Sequence, residues 1–279
     1  MAKARRTIVG SPLTPTLLAD LGAVADQWIS SGPFDRQGSW THRYRIWTCH
    51  GYRETGNEDV GFLRVRKETP SAEGTFRLRV EQVVVETDAL LGRIEAEIVC
   101  RNDDLASPVQ WRLSSRFFGP DDKERTDLGV AETVSVEAGT LTVETAGPTR
   151  RRQVPVPLTS DWSLFEAVQR LDVGAAGRWQ VNLLEGLSVL KPDQQISYRG
   201  LRQEKLGART IPLHCFQQLG HGVLPTEYWL SRDRRLLAVV SMNKAYIRDD
   251  QAEDAIGRRQ RALQESYRKA RMRRGKSGQ

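Results

Sequence analysis

The residues best suited to acid–base chemistry in this chain are His214, Tyr228 and Arg232, which lie close together in its last third. A histidine or a tyrosine can exchange the proton beside a substrate carboxylate, while an arginine neutralises that carboxylate. Polysaccharide lyases use this combination of side chains on uronates. The spacing of the three residues matches no diagnostic motif. A structural interpretation therefore stands beside the catalytic one: Tyr228 packs on a sheet and Arg232 belongs to a turn.

The cysteines and histidines do not have the spacing of a metal site. Cys49, Cys100 and Cys215 are far apart in the sequence, which gives neither a disulfide framework nor a CxxC motif. Two of them form the pairs Cys49-His50 and His214-Cys215. Because neighbours on a strand point to opposite faces, each pair can offer only one ligand to a site. The chain also lacks a phosphate-binding glycine loop and a GxSxG motif. We therefore expect neither a metal nor a cofactor.

Aromatic residues are the second group with a chemical role to offer. Seven tryptophans are spread along the chain, several of them in segments where apolar and polar residues alternate. Aromatic side chains on the inner face of a β shell can enclose an apolar ligand or stack on a sugar. The same spacing also fits ordinary core packing, and the sequence leaves both interpretations open. The candidate ligand-binding residues are Tyr44, Trp111, Trp179 and Trp229.

The elements that position these residues are mainly β strands. Across residues 40–247, side chains alternate with a period of two in segments separated by Gly, Pro, Asn or Asp. The segments recur at roughly 12–18 residues, which favours an antiparallel meander or barrel over βαβ units. The clearest pairing is a hairpin in which residues 227–230 face residues 236–240 across a polar turn. Its alternation predicts that one set, Tyr228 with Leu230 or Glu227 with Trp229, faces inward.

One strong helix interrupts the strands. At about residues 161–172, four apolar side chains recur at helical spacing after Ser160, a residue suited to an N-cap. We expect this face to pack against the sheet. Its members are Leu164, Phe165, Val168 and Leu171.

The N-terminal segment supports two interpretations. Its apolar residues recur at helical spacing up to Gly32-Pro33, which predicts an amphipathic helix. Arg5-Arg6 loosely resembles a twin-arginine export signal, but Asp20 and two prolines interrupt the apolar stretch that such a signal needs. A cytoplasmic protein is therefore favoured, with export as the alternative if the Arg5-Arg6 segment is a signal. The residues of the apolar face are Leu17, Leu21, Val24 and Trp28.

Positive charge is concentrated at the C-terminus. The net charge is +7, but from residue 258 onward nine Lys or Arg stand against one acid, which leaves the rest of the chain near −1. Acids precede these bases, as the dipole of a helix favours. The segment predicts a helix that projects from the body, either as a solvated extension or as a contact for an anionic polymer or a membrane surface. The candidate contacts are Arg258, Arg259, Arg261, Arg268, Lys269, Arg271, Arg273 and Arg274.

The order of elements resembles the DUF3108 and lipoprotein-carrier (LolA-like) proteins. The resemblance covers residues 40–247 at the level of order, and at the level of motif only residues 228–230 (YWL) and 235–237 (RLL). It implies an open antiparallel sheet that curls around a helix, in a family whose members are usually exported.

Together these patterns predict a mainly β protein: a curled antiparallel sheet or open β-barrel with one packed helix, plus N-terminal and C-terminal helices. Residues 1–39 would form an extension, residues 40–247 the β domain and residues 248–279 a basic tail. The favoured function is non-enzymatic binding of an apolar or glycan ligand on the concave face. The alternatives are a carbohydrate-active enzyme with lyase-like Tyr, His and Arg chemistry, and a scaffold attached to an anionic partner through its tail.

Overall fold

The computed structural model describes residues 17, 21–22, 24–30, 32–48, 58–85, 90–174 and 177–276, with side chains described up to residue 269. Fifteen strands form one sheet in the order β8-β7-β6-β5-β4-β3-β2-β1-β15-β14-β13-β12-β11-β10-β9. Neighbouring strands are antiparallel except β9 and β10. The strands are β1 (Trp40–Thr48), β2 (Glu58–Lys67), β3 (Thr75–Val85), β4 (Leu91–Arg101), β5 (Pro108–Phe118), β6 (Val130–Glu137), β7 (Thr140–Glu144), β8 (Arg150–Gln153), β9 (Leu158–Ser160), β10 (Arg178–Glu185), β11 (Val189–Leu206), β12 (Arg209–Leu219), β13 (Thr226–Leu230), β14 (Leu236–Val240) and β15 (Lys244–Arg248). The helices are α1 (Ala25–Ser30), α2 (Asp161–Arg170) and α3 (Ala252–Lys276), and Thr126–Leu128 forms one 3-10 turn.

The sheet curls until its two ends approach each other without closing. β8 and β9 are its edge strands. Side chains bridge the gap between the ends: Thr159 Oγ1 donates to the Leu105 carbonyl at 2.8 Å, and the Arg152 guanidinium donates to the Ser188 carbonyl at 2.8 Å. The prediction of a mainly β, curled and open antiparallel sheet is confirmed.

Helix α2 lies inside the curl, as the sequence predicts. The Ser160 hydroxyl caps it by accepting the Ser163 N–H at 2.9 Å. All four residues of the predicted apolar face, Leu164, Phe165, Val168 and Leu171, are buried in the inner core. The Arg234 guanidinium donates to the carbonyls of Val168 and Leu171 at 2.9 and 2.6 Å, so it satisfies backbone acceptors at the end of the helix.

The predicted closing hairpin is also confirmed. β13 and β14 pair antiparallel, with Tyr228 opposite Val239 and Glu227 opposite Val240. Tyr228 and Leu230 face the inner core, while Trp229 packs on the outer face. Both faces of this hairpin are buried, because the N-terminal segment covers the outer one.

The N-terminal segment contributes the outer cover through its predicted apolar face, whose four residues are all buried against β12–β15. The indole of Trp28 donates to the Arg248 carbonyl at 2.9 Å. Within the described residues, α1 is short, running over Ala25–Ser30. The Arg5-Arg6 motif lies outside the described residues.

The C-terminal helix corrects one expectation, because α3 does not project away from its start. Ala252 and Ile256 are buried against the outer face of β2–β4, and Leu263 packs beside them. Glu253 pairs with Arg43 and Arg64 at 2.9 and 3.1 Å. Only beyond Gln264 does the described surface of the helix become continuously exposed. The apolar stripe at the start of α3 is therefore sufficient to dock its first half.

Replacing Phe165 by Ala tests whether α2 is a structural core. Phe165 contacts Tyr44 and Tyr246 edge to face at 5.2 and 5.5 Å between ring centroids. Its loss should lower the free energy of unfolding by about 3–5 kcal/mol, measured by chemical denaturation. The matched control is Tyr267→Ala on the exposed part of α3, which should change stability by less than about 0.5 kcal/mol. Wild-type stability in Phe165→Ala would show that α2 is peripheral.

Candidate functional site

The inner face of the sheet encloses a cavity of about 620 Å³ beside the first turn of α2. This volume lies in the range typical of small-molecule sites, about 300–1,000 Å³. One wall is α2 itself, and the others come from the two halves of the curled sheet. The apolar lining includes Ile94, Leu113, Trp162, Phe165, Leu183 and Val239.

Polar groups converge on the cavity at the start of α2. The Asp161 carboxylate accepts the N–H groups of Trp162 and Gly186 at 2.9 and 3.0 Å. The Tyr228 hydroxyl, in the same cavity, donates to Gln218 Oε1 at 2.8 Å. Tyr246 is the third polar residue of this group, and its ring packs on Phe165. A carboxylate, two phenols and an amide therefore share one apolar chamber.

Burial dominates the electrostatics of this group. Desolvation raises the pKa of Asp161 to about 6, although its two backbone hydrogen bonds act in the opposite direction. Burial, and after it the Asp161 carboxylate, raise the pKa of Tyr228 and Tyr246 well above the usual range. The carboxylate and both phenols line the same cavity.

Asp161 has no countercharge of its own. Across the described ranges, no Lys or Arg lies within 4.0 Å of its carboxylate. Glu185, another carboxylate of the lining, pairs with Lys191 at 3.7 Å. The lining cation Lys244 has an exposed side chain. Within the part of the chain that the structure describes, N–H groups rather than a cation stabilise the charge of Asp161.

A second polar cluster lies farther along the same inner face. The Tyr198 hydroxyl and His214 Nδ1 are 2.7 Å apart, and His214 also hydrogen-bonds the backbone of Arg232. Burial, followed by the nearby Arg234 guanidinium, lowers the pKa of His214, which favours the neutral ring as the partner of the tyrosine. Arg234 itself lies over the Phe216 ring at 5.4 Å.

The structure does not bring the three predicted catalytic residues together. Tyr228 lies opposite Phe216, two residues from His214 on β12, but its phenol is bonded to Gln218, on the far side of Phe216 from His214. His214 contacts Tyr198 and hydrogen-bonds the backbone of Arg232, but the side chain of Arg232 is exposed. No sequence spacing identified Tyr198, because its contact with His214 depends on the register of β11 and β12.

The four predicted ligand-binding aromatics do not line the cavity either. Tyr44 and Trp111 are buried in the inner core. Trp179 is half-buried on the inner face beside Phe216, and Trp229 lies on the outer face under the Arg202 guanidinium. The aromatics that do line the cavity are Trp162, Phe165, Tyr228 and Tyr246. Of these, Phe165 belongs to the predicted apolar face of the helix, where its spacing indicated core packing rather than a site.

The basic residues of α3 divide into two groups. Arg259 is engaged with β2, since its guanidinium bonds the Asp59 carbonyl and approaches Glu58 at 3.9 Å. Arg258, Arg261, Arg268 and Lys269 are exposed or nearly so. Arg271, Arg273 and Arg274 lie in the last turns of the helix.

Among the described residues, no group of three or more His, Cys, Asp or Glu is arranged to hold a metal ion. Cys100 and Cys215 are separate and buried, and burial raises the pKa of both thiols. Cys49-His50 lies outside the described residues. Over the same part of the chain, no helix is long and apolar enough to cross a bilayer.

Another depression, of about 660 Å³, lies on the outer face of β3–β7. Several of its charged side chains already have partners: Arg79 pairs with Glu97 at 3.4 Å, and Glu95 pairs with the neighbouring Arg116 at 2.9 Å. Such mutually paired surface charges leave little for a ligand to satisfy. The inner cavity, with its unneutralised carboxylate, is therefore the stronger candidate site.

Comparison with known proteins gives a structural likeness and no family. No family model matches the chain, and no curated protein matches it. Among solved structures, it is similar to a beta-barrel-like protein of the domain of unknown function DUF1849 from Brucella abortus, at 10% sequence identity and a TM-score of 0.49. The similarity covers 75% of this chain and 95% of that chain.

The titration of Asp161 tests the geometry of the site. Its pKa near 6 lies above the ordinary value of 3.8, so between these pH values the native state binds more protons than the unfolded chain. Its contribution to the free energy of unfolding therefore falls as pH rises through that window. Asp161→Asn removes this pH-dependent contribution. The free energy of unfolding of the variant, minus that of the wild type, should therefore rise from pH 4 to pH 7 in denaturation experiments.

A carbon-detected NMR titration should place the midpoint of the Asp161 carboxyl near pH 6. Asp121→Asn, in an exposed loop, shows whether an amide substitution alone changes the stability profile. A stability difference for Asp161→Asn that stays constant from pH 4 to pH 7 would contradict the burial of this carboxyl.

Proposed function

We propose that the protein binds a small ligand with an apolar body in the cavity beside α2, without acting on it chemically. The observation that carries this proposal is the combination of an aromatic and aliphatic wall with a few converging polar groups, in a chamber of about 620 Å³. Trp162 and Phe165 present aromatic surface, while Gln218 and Asp161 offer hydrogen bonds that would orient the ligand.

The resemblance to LolA-like carriers supports the same function, because those proteins also curl an open sheet around a helix. A glycan face could stack on the aromatic wall in the same chamber. An amphiphile fits the lining better than a bare sugar, since the aliphatic residues Ile94, Leu113 and Leu183 form a continuous part of it.

Two neighbouring serines of β5 allow a matched test of this site. Ser115 lines the cavity, whereas Ser114 alternates to the outer face. Ser115→Trp should place an indole inside the chamber and weaken binding of the neutral dye N-phenyl-1-naphthylamine by about ten-fold or more, read from its fluorescence. Ser114→Trp adds the same side chain outside and should leave the affinity unchanged.

Thermal melts of both variants establish that they fold. Thr226→Trp, at another position of the lining, provides a second block if Ser115→Trp is unstable. Equal dye affinity in the folded inner and outer variants would place the dye elsewhere and contradict the proposal.

A second candidate function belongs to the tail: attachment to a polyanion. The supporting observation is that, among the described residues, α3 contacts the rest of the protein only as far along the helix as Gln264. It then continues to Lys276, with Arg268 and Lys269 exposed. After residue 265 the chain contains six Lys or Arg and no acid. Packing of the docked half does not explain this concentration of positive charge. A helix of this charge is attracted to a polyelectrolyte through counterion release.

Truncation after Glu265 tests this function while retaining Leu263 and the docked half of α3. The full chain should be retained on duplex DNA or heparin at low salt, with a log–log salt slope of about −0.9 per DNA phosphate neutralised. The truncated protein should lose most of that retention. A matched control, Arg150→Gln with Arg151→Gln, removes exposed positive charge from β8 instead. Unchanged retention after truncation would show that the tail is only a solvated extension.

A further inference from the structure

Asp161 is a charge that faces the cavity and has no ion-pair partner among the described residues. It begins α2, and the helix dipole and its two N–H hydrogen bonds partly stabilise the anion. Desolvation nevertheless outweighs them and raises its pKa. At pH 7.5 the carboxylate is still ionised, because that pH lies above its midpoint near 6. A cation that enters the chamber would therefore pair with this carboxylate without displacing another cation.

Aromatic residues line the cavity together with Asp161. Tyr228 and Tyr246 both sense the charge of Asp161, and Trp162 follows it in the chain. Phe165 packs edge to face on Tyr246, which holds that ring in place. Aromatic faces attract cations, and most strongly the poorly hydrated organic ammonium ions. In the described part of the chain, Tyr246 has no hydrogen-bond partner for its hydroxyl.

From this juxtaposition we infer that the cavity selects a ligand whose polar head is an organic ammonium group, held by Asp161 and the rings of Tyr228, Tyr246 and Trp162. This inference rests on the proposed ligand-binding function and names the class of ligand. The ammonium carbons contact the rings, the positive charge pairs with the carboxylate, and the apolar body follows the aliphatic wall. The head could belong to a lipid-like amphiphile or to a small free amine.

The other charged residues of the lining do not form a site that would bind an anionic head group. Glu185 is paired with Lys191, and Glu132 adds negative charge to the lining. Lys244 is a cation, but its side chain is exposed to water, where an ion pair contributes little. An anionic head placed beside Asp161 would meet like charge in a partly desolvated chamber.

Three ligands with one chain length separate the head groups: decyltrimethylammonium, decanol and decanoate. Each competes with N-phenyl-1-naphthylamine for the full-length protein at pH 7.5, below micelle formation. We expect decyltrimethylammonium to displace the dye at a concentration about ten-fold lower than decanol, and decanoate to be the weakest. Choline distinguishes a small free amine from a lipid-like amphiphile. If choline displaces the dye at a concentration similar to that of decyltrimethylammonium, the ligand is a free amine. If choline does not displace the dye, the apolar chain is required.

Variants assign the preference to particular side chains. Asp161→Asn keeps a hydrogen-bond acceptor but loses the charge, so the ten-fold preference for the ammonium ligand over decanol should disappear. Tyr246→Leu should reduce the preference several-fold by removing one ring, which provides a second test if Asp161→Asn is unstable. Glu185→Gln, a carboxylate of the same lining that already has a partner, is the matched control and should retain the preference.

The results separate the inference from the function on which it rests. If decanol or decanoate binds as tightly as the ammonium ligand, the cavity binds ligands but the head-group inference is wrong. The same holds if Asp161→Asn keeps the preference. If none of the three ligands displaces the dye and the dye itself binds equally to Ser115→Trp, both the inference and the proposed function are wrong.

Discussion

The interaction on which the architecture depends is a buried charge cluster that fastens α2 inside the sheet. Glu166 accepts a hydrogen bond from Lys67 of β2 at 2.8 Å, and both side chains are fully buried. Arg170, one turn along the helix, donates two hydrogen bonds to the same carboxylate, at 2.6 and 2.9 Å. Removing one partner of such a pair typically costs about 3–5 kcal/mol, because the others remain charged and buried.

The cluster determines the orientation of α2 as well as its attachment. Lys67 and Arg170 both lie over the Phe76 ring, at 5.1 and 5.6 Å, and Arg170 also donates to the Asp103 carbonyl at 2.6 Å. These directional bonds hold one side of the helix against β2, β3 and the loop after β4. With that side fixed, Asp161 at the start of the helix faces the cavity, and its C-terminal carbonyls meet Arg234. The positions of the site residues therefore follow from a contact outside the site.

Local patterns in the sequence were sufficient for the strands, the hairpin of β13 and β14, and the apolar face of α2. Period-two and helical spacing report which side of an element is apolar. They do not report what that side meets, so Trp229 was assigned to the concave face although the N-terminal segment buries it on the outer one. Tyr198 with His214, and Asp161 with Tyr246, are juxtapositions of residues separated by many positions in the chain. Only the strand order and register bring such residues together.

The cavity itself follows from a mismatch in length between the helix and the strands around it. The ten residues of α2 extend about 15 Å, whereas an 11-residue strand such as β3 extends about 36 Å. Even if the strands are tilted by about 35–45°, the interior of the sheet is longer than one such helix. At the C-terminal end of α2, Arg234 on Phe216 occupies the interior. At the N-terminal end no side chain of the described residues fills the corresponding space, which is lined by Asp161 and its aromatic neighbours. A short helix anchored to one side of a longer curled sheet thus produces a chamber and places a carboxylate at its wall.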